Sequence, residues 1–96
     1  MATYITLINL TEQGARNIKD SPQRFEAYQG LAEKLGLTVK SVYWTTGAFD
    51  IILTVEGDEE AAMVSLLNVI TRGNVRTRTL RAFPIEEMKG LVSKLA

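Results

Sequence analysis

Apolar and polar residues alternate along four segments of the chain, a pattern that predicts β-strands. The segments are residues 3–10, 39–46, 49–56 and 75–82. They are rich in the β-branched and aromatic residues that strands favour. Only a short link around Gly47 and Ala48 separates the second segment from the third, so these two are predicted to form a β-hairpin.

Apolar residues at helical spacing predict a helix between the first strand and the hairpin. Residues 11–20, which precede it, are mostly polar and predict a loop or a short helical turn. Ser21 is the expected N-cap, Pro22 lies in the first turn, and Gly36 supplies the C-terminal stop. The apolar positions of this helix are Phe25, Tyr28, Leu31, Ala32 and Leu35.

Two further helices are predicted, one after the hairpin and one after the last strand. Asp58 is the expected N-cap of the first, and Glu59 and Glu60 follow it where the helix dipole favours negative charge. Its predicted buried stripe consists of Met63, Leu66, Leu67 and Ile70. The last helix begins at Pro84 and carries Met88, Leu91, Val92 and Leu95 on its apolar side.

The order of elements is therefore strand, helix, strand, strand, helix, strand, with an additional terminal helix. This split βαβ repeat is typical of the ferredoxin-like fold, an α+β fold with a four-stranded antiparallel sheet. The pattern fills residues 1–96 without a linker, and 96 residues suffice for one hydrophobic core but not for two. We predict a single domain.

One face of this sheet is predicted to be apolar and without a cover. Ile5 and Leu7 lie on one side of the first strand, and Tyr4, Ile8 and Leu10 lie on the other. On the third strand Ile51, Leu53 and Val55 should face the helices, which leaves Ile52 on the open side. An exposed apolar patch usually marks an interface, and a second copy is the simplest cover. We predict a homodimer or a higher homo-oligomer; the alternative is that the terminal helix folds back over this face.

Composition excludes several functional classes. The 11 basic and 11 acidic residues give zero net charge, which argues against a nucleic-acid partner. The chain has no cysteine and therefore no thiolate nucleophile or thiolate zinc site, and it has no histidine, the commonest general base and metal ligand. We predict no metal site and no cofactor. No apolar run approaches a membrane span and the start of the chain lacks the features of a signal peptide, so a cytoplasmic location is expected.

The topology predicts one polar constellation. In this strand order the end of the first strand lies beside the starts of the third and fourth, which brings Asn9, Asp50 and Arg76 to one end of the sheet. Trp44 lies nearby on the hairpin. An aspartate paired with an arginine and flanked by an amide could orient a small polar ligand. The alternative is that Asp50 only closes the hairpin.

Arg72, Arg76, Arg78 and Arg81 form the densest basic run of the sequence. A basic stripe on a sheet could bind RNA, but RNA-recognition sheets also need stacking aromatic residues on their central strands. The third strand, FDIILTVE, lacks that series. Pairing of these arginines with the acidic residues 56–60, or with carboxylates across an interface, is the favoured interpretation.

Three stretches of the chain resemble the GYD-domain family. They are YITLINLTEQGARNIKDSPQR at residues 4–24, YWTTGAFDIILTVE at residues 43–56 and GNVRTRTLRAF at residues 73–83. The family's signature is Gly, any residue, Tyr, Asp at the start of the third strand, and here it stands as Gly47, Ala48, Phe49 and Asp50. The resemblance implies a dimeric α/β-barrel form of the ferredoxin-like fold. Phe49 replaces the family tyrosine, so no phenolic hydroxyl can act there.

Two functional hypotheses follow. The first is a small homo-oligomeric domain that binds a small ligand or acts as a regulatory module. The second is a cofactor-independent enzyme, of oxygenase or isomerase type, that acts on a small organic substrate; this rests on fold analogy alone. A closed cavity lined by Trp44 or Tyr28, with Asp50 at its mouth, would favour the enzyme, and a filled core would favour the module.

Overall fold

The computed structural model describes residues 1–96 and contains a four-stranded sheet with four α-helices. The strands are β1 (Ala2–Leu10), β2 (Thr38–Trp44), β3 (Ile51–Gly57) and β4 (Val75–Ala82). The helices are α1 (Glu12–Arg16), α2 (Ser21–Lys34), α3 (Glu59–Ile70) and α4 (Ile85–Val92), and a 3-10 turn, Ile18–Asp20, joins α1 to α2. The strand order β2-β3-β1-β4, antiparallel throughout, confirms the ferredoxin-like α+β fold.

The core lies between α2, α3 and one face of the sheet. Tyr4 and Ile8 of β1 face the helices, as do Ile51, Leu53 and Val55 of β3, and all five are buried. The predicted facing of the third strand is therefore confirmed. Tyr28 and Ala32 of α2, Leu37 and Ala62 complete the buried cluster.

The predicted buried stripe of α3 is largely wrong. Leu66 is buried, but Met63, Leu67 and Ile70 are 53%, 46% and 39% exposed. The helix instead turns Ala62, Ser65 and Leu66 toward the core. Small residues at two of these positions let α3 approach α2, where the Ser65 hydroxyl lies 3.2 Å from the Tyr28 hydroxyl. The larger apolar residues are consequently displaced to the outer surface of the helix.

The prediction that Ser21 caps α2 is also wrong. The 3-10 turn runs directly into the helix, so Asp20 occupies the N-cap position and Ser21 already has helical backbone angles. Ser21 is buried, and its hydroxyl accepts a hydrogen bond of 3.0 Å from the Trp44 indole. The contact ties the start of α2 to the end of β2. The predicted end of α2 at Gly36 is confirmed, because Gly36 has a φ of 84°, a backbone angle that residues with a Cβ atom rarely adopt.

The open face of the sheet is apolar, as predicted, and nothing in the chain covers it. Its apolar members are Ile5, Leu7, Tyr43, Ile52 and Leu80, which the strand register places next to one another. Tyr43 is 65% exposed and Leu80 is 50% exposed. The helix α4 does not fold back over them: its own apolar residues Ile85, Met88, Leu91 and Val92 are also exposed. An ion pair of 2.5 Å between Arg81 and Glu87 ties α4 to the sheet.

The chain is extended for its size. Its radius of gyration is 14.6 Å, whereas a compact domain of this length would have about 12.5 Å. Its accessible surface is 6503 Å², about 1,000 Å² more than the usual relation between mass and surface gives. The excess reflects the open sheet face and the protruding α4. None of the helices has the length and apolar character needed to cross a lipid bilayer.

Candidate functional site

The structure brings Asn9 and Asp50 together at the predicted end of the sheet. The Asn9 amide donates a hydrogen bond of 2.9 Å to the carbonyl of Ala48. The Asp50 carboxylate accepts one of 2.8 Å from the backbone N–H of Leu10, and the Asp50 N–H donates to the carbonyl of Ile8. Asp50 therefore continues the pairing of β1 beyond the start of β3, with its side chain in the place of a backbone acceptor.

The connection from β2 to β3 is longer than predicted. It covers residues 45–50 rather than a short link around Gly47 and Ala48, because the side chain and backbone of Thr45 hold it as a closed loop. The Thr45 hydroxyl donates to the carbonyl of Phe49 at 2.6 Å, and the Thr45 N–H donates to the carbonyl of Asp50. Gly47 has a φ of 107°, which only glycine adopts without strain. The signature residues at 47 and 50 thus have a structural role in this loop.

The other two residues of the predicted constellation lie apart from Asp50. Arg76 is opposite Asn9 in the β1–β4 register, but no carboxylate lies within 4.0 Å of its side chain. Trp44 lies on the helix side of the sheet, where its ring packs edge-on against Phe25 at 6.1 Å. The structure therefore contains no Asp50–Arg76 ion pair, and Trp44 lies on the other side of the sheet from Arg76.

This geometry makes a prediction about Asp50. We expect Asp50→Asn to lower the free energy of unfolding by about 1 kcal/mol, because the amide oxygen can still accept the Leu10 hydrogen bond. Combined with Arg76→Met, the two losses should add to within about 0.5 kcal/mol, as they do for residues that share no interaction. Urea unfolding of the single and double variants at one protein concentration measures both. A coupling energy between the two substitutions well above about 0.5 kcal/mol would show that Asp50 and Arg76 do interact.

A cavity of about 450 Å³ lies between α2, α3 and the covered face of the sheet. Its apolar wall includes Ile8, Phe25, Tyr28, Leu31, Ile51, Leu53, Leu66 and Val69. The cavity exists because α2 and α3 separate toward the end of the sheet where α2 begins and α3 ends. Its volume lies within the range of small-molecule pockets, about 300–1,000 Å³.

Polar residues from both helices frame this cavity. Asp20, Gln23 and Arg24 come from the beginning of α2, and Asn68, Arg72 and Asn74 come from the end of α3 and the turn after it. The segment before α2 is fixed to that turn: the Gln13 amide donates to the carbonyl of Arg72 and to the Asn74 side chain, both at 3.0 Å. Gly14 packs so closely on the carbonyl of Asn74 that a Cβ atom would overlap it.

Tyr28 is a buried titratable group in the wall of the cavity. Burial raises the pKa of its phenol above the ordinary value, and the hydrogen bond with Ser65 lowers it to a smaller extent. The Ser65 hydroxyl donates to the carbonyl of Ala62 at 2.7 Å, so the Tyr28 hydroxyl is the donor in the Tyr28–Ser65 pair. Tyr28 is therefore a protonated, hydrogen-bonded phenol at neutral pH.

Only part of the arrangement that would favour an enzyme is present. Tyr28 lines the cavity as anticipated, but Asp50 and Trp44 do not. Arg24, which does, was missed by the sequence reasoning because it precedes the apolar stripe of α2 and resembles any surface arginine. No periodic pattern distinguishes it; only the spacing between α2 and α3 makes it part of a cavity wall.

The basic run is distributed over different surroundings. Arg72 donates to the Asn68 side chain at 3.4 Å, and Arg81 pairs with Glu87. Arg76 and Arg78 have no acidic partner within the chain, so the predicted pairing with residues 56–60 does not occur within one copy. One of the acidic residues in that run has a local role instead: the Asp58 carboxylate accepts a hydrogen bond from the N–H of Ala61 and caps α3.

A curated protein of Thermus thermophilus is similar to this chain over almost its whole length. The two are 33% identical over 90 residues, which cover 92% of this chain and 95% of the relative. That relative is named glutamine synthetase and cystathionine beta-lyase binding protein.

Solved structures share the fold. The crystal structure of MtbAldR has a TM-score of 0.66 and 19% identity, and the match covers 86% of this chain but only 53% of that one. This chain thus spans about half of MtbAldR. A hypothetical protein from Pyrococcus horikoshii, PHS023, has a TM-score of 0.55 and 21% identity, with 88% and 92% of the two chains covered.

The family profile described as GYD domain matches residues 4–92, which is nearly the entire chain. The match includes β1 from Tyr4 onward, the other three strands, the connection around Gly47 and Asp50, and all of α4. The fold, the loop that closes against β1 and the sequence similarity agree. This chain belongs to the GYD-domain family.

Proposed function

We propose that this protein is a homodimeric binding module that regulates other proteins by docking to them. The observation that carries the proposal is the apolar surface that one copy leaves exposed on the open side of the sheet and on α4. The excess of about 1,000 Å² over a compact chain is similar to what one partner contributes to a standard interface, about 800 Å². A free monomer would keep this surface in water.

A second copy is the partner that best fits the open face. Two identical sheets can pack face to face around a two-fold axis, since the same patch serves on both sides. The pairing would cover Ile5, Leu7 and Ile52 and produce the dimeric α/β barrel that the family resemblance implies. Arg76 and Arg78 project from the same face, where carboxylates of the second copy are available to them.

The outer surface of α3 is the face we assign to another protein. Met63, Leu67 and Ile70 form an exposed apolar stripe there, on the side of the molecule opposite to the open sheet. Pairing of two copies through their sheets would leave this stripe at the surface of the dimer. Exposed apolar stripes on a helix serve as anchors in protein recognition.

The relative's name indicates which proteins to test first: glutamine synthetase and cystathionine beta-lyase. We expect the purified protein to bind at least one of these enzymes in a biolayer interferometry assay. Ile70→Lys should weaken that binding at least about tenfold, because it places a charge in the apolar stripe. Ile18→Lys is the matched control, since Ile18 is exposed to a similar extent on the 3-10 turn.

Two results would contradict this proposal. Binding that Ile70→Lys leaves unchanged would remove the assignment of the α3 surface. The absence of binding to either enzyme, by the wild-type dimer, would remove these two enzymes as partners. The enzyme hypothesis has less support, because burial raises the pKa of the Tyr28 phenol, which therefore stays protonated at neutral pH and is not available as a general base.

A further inference from the structure

We propose that the cavity between α2 and α3 binds an apolar monocarboxylate, with the Arg24 guanidinium as the partner of its carboxylate. The ligand would place its hydrocarbon part against the sheet and its charged end at the beginning of α2. Neither the open face of the sheet nor the exposed stripe of α3 contributes residues to this cavity. It lies on the helix side of the sheet, so the inference stands independently of the proposed dimer.

The inner wall of the cavity sets the chemistry of the ligand's body. Eleven of the 18 residues around the cavity are hydrophobic. Ile8, Ile51 and Leu53 form its floor on the sheet, and Leu31 and Leu66 form sides on the two helices. A hydrocarbon chain or ring would gain stability from leaving water there. A sugar or nucleotide would lose hydrogen bonds against these surfaces.

Arg24 sets the chemistry of the ligand's head. One guanidinium nitrogen, Nη1, donates to the carbonyl of Asn17 at 2.8 Å, which fixes the side chain beside the 3-10 turn. The other, Nη2, is buried and has no acceptor in the protein. No carboxylate lies within 4.0 Å of Arg24. Arg24 as a whole is half-buried, but a buried guanidinium nitrogen without an acceptor is costly, and a carboxylate supplies both the acceptor and the charge.

Other polar groups at the Arg24 end of the cavity favour a ligand that carries one negative charge. Arg72 adds a second cation at the end of α3, and Asn68 and Asn74 add amide donors. Asp20 is the one acidic residue of the cavity lining, and it offsets part of this positive charge. The balance therefore favours a monocarboxylate over a phosphate or a dicarboxylate, which would need more cations.

Three eight-carbon probes with the same tail test the proposal: octanoate, 1-octanol and octylammonium. Isothermal titration calorimetry should give the tightest binding for octanoate. Arg24→Met retains the length of the side chain and removes its charge, and it should weaken octanoate at least about tenfold. The same variant should leave 1-octanol within about twofold of its wild-type affinity, since the apolar wall is unchanged.

Arg16→Met is the matched control, because Arg16 is an exposed arginine of α1 whose side chain pairs with Glu12. It should bind octanoate as the wild type does. Circular dichroism spectra of the two variants verify that both are folded. Equal affinity for octanoate and 1-octanol, preference for octylammonium, or no change in Arg24→Met would each overturn the proposal. Failure of all three probes to bind the folded wild type would overturn it as well.

Discussion

Ile52→Lys is expected to convert the proposed homodimer into a monomer of 10.6 kDa. Ile52 lies on β3, an inner strand of the sheet, and the register places it beside Leu7 of β1 and Tyr43 of β2 on the open face. Face-to-face packing of two sheets would bury two lysines against apolar residues and against each other. We expect the dissociation constant of the dimer to rise at least about a hundredfold, the size of a lost interface hot spot.

Sedimentation equilibrium at micromolar concentration measures this effect. Ile70→Lys is the control, because it makes the same change on the outer surface of α3, where no second copy is expected. The control should remain dimeric while it loses binding to the partner enzyme. A wild-type protein that sediments only as a 10.6 kDa species would refute the dimer, and a dimer unaffected by Ile52→Lys would place the interface elsewhere.

Leu53→Ala is expected to lower the free energy of unfolding by about 2–5 kcal/mol. Leu53 is 3% exposed and lies opposite Thr6 of β1 and Val42 of β2. It also forms part of the cavity floor, so the truncation enlarges an existing space. The lost hydrocarbon contacts and the larger void act in the same direction, because the strands on both sides prevent the sheet from collapsing inward.

Urea unfolding at a fixed protein concentration measures this loss, since the apparent stability of a dimer depends on concentration. Leu67→Ala is the matched control on α3: its side chain is 46% exposed, and the change should cost less than about 0.5 kcal/mol. A loss below about 1 kcal/mol for Leu53→Ala would mean that the packing around β3 is much looser than its burial indicates.

The alternation of apolar and polar residues determined the four strands, their order along the chain and the two faces of β3. These features depend on local periodicity, which a sequence displays directly. The same is true of the capping of α3 by Asp58 and of the stop at Gly36. The sequence also indicated the loop that carries the family signature. Position 47 needs a positive φ and position 50 needs a side-chain acceptor, and few residues other than Gly and Asp meet these requirements.

The rotation of α3 and the position of Ser21 were decided only by tertiary packing. Met63, Leu67 and Ile70 have the spacing of a buried stripe, yet Ala62 and Ser65 face the core because small side chains let α3 approach Tyr28 of α2. A hydrophobic pattern predicts which residues of a helix are apolar, but it does not predict how closely the neighbouring helix packs against it. That distance depends on the volumes of side chains from both helices.

The sequence likewise predicted one part of the candidate site, and only the folded structure revealed the rest. The sequence placed Asn9, Asp50 and Arg76 at one end of the sheet, since strand order alone determines which ends are adjacent. It could not give the direction of Trp44, which a hydrogen bond to Ser21 holds on the helix side. Nor could it identify Arg24 as part of a cavity. The cavity arises from the separation of α2 and α3, and its lining combines residues from all four strands and two helices, which only the folded chain brings together.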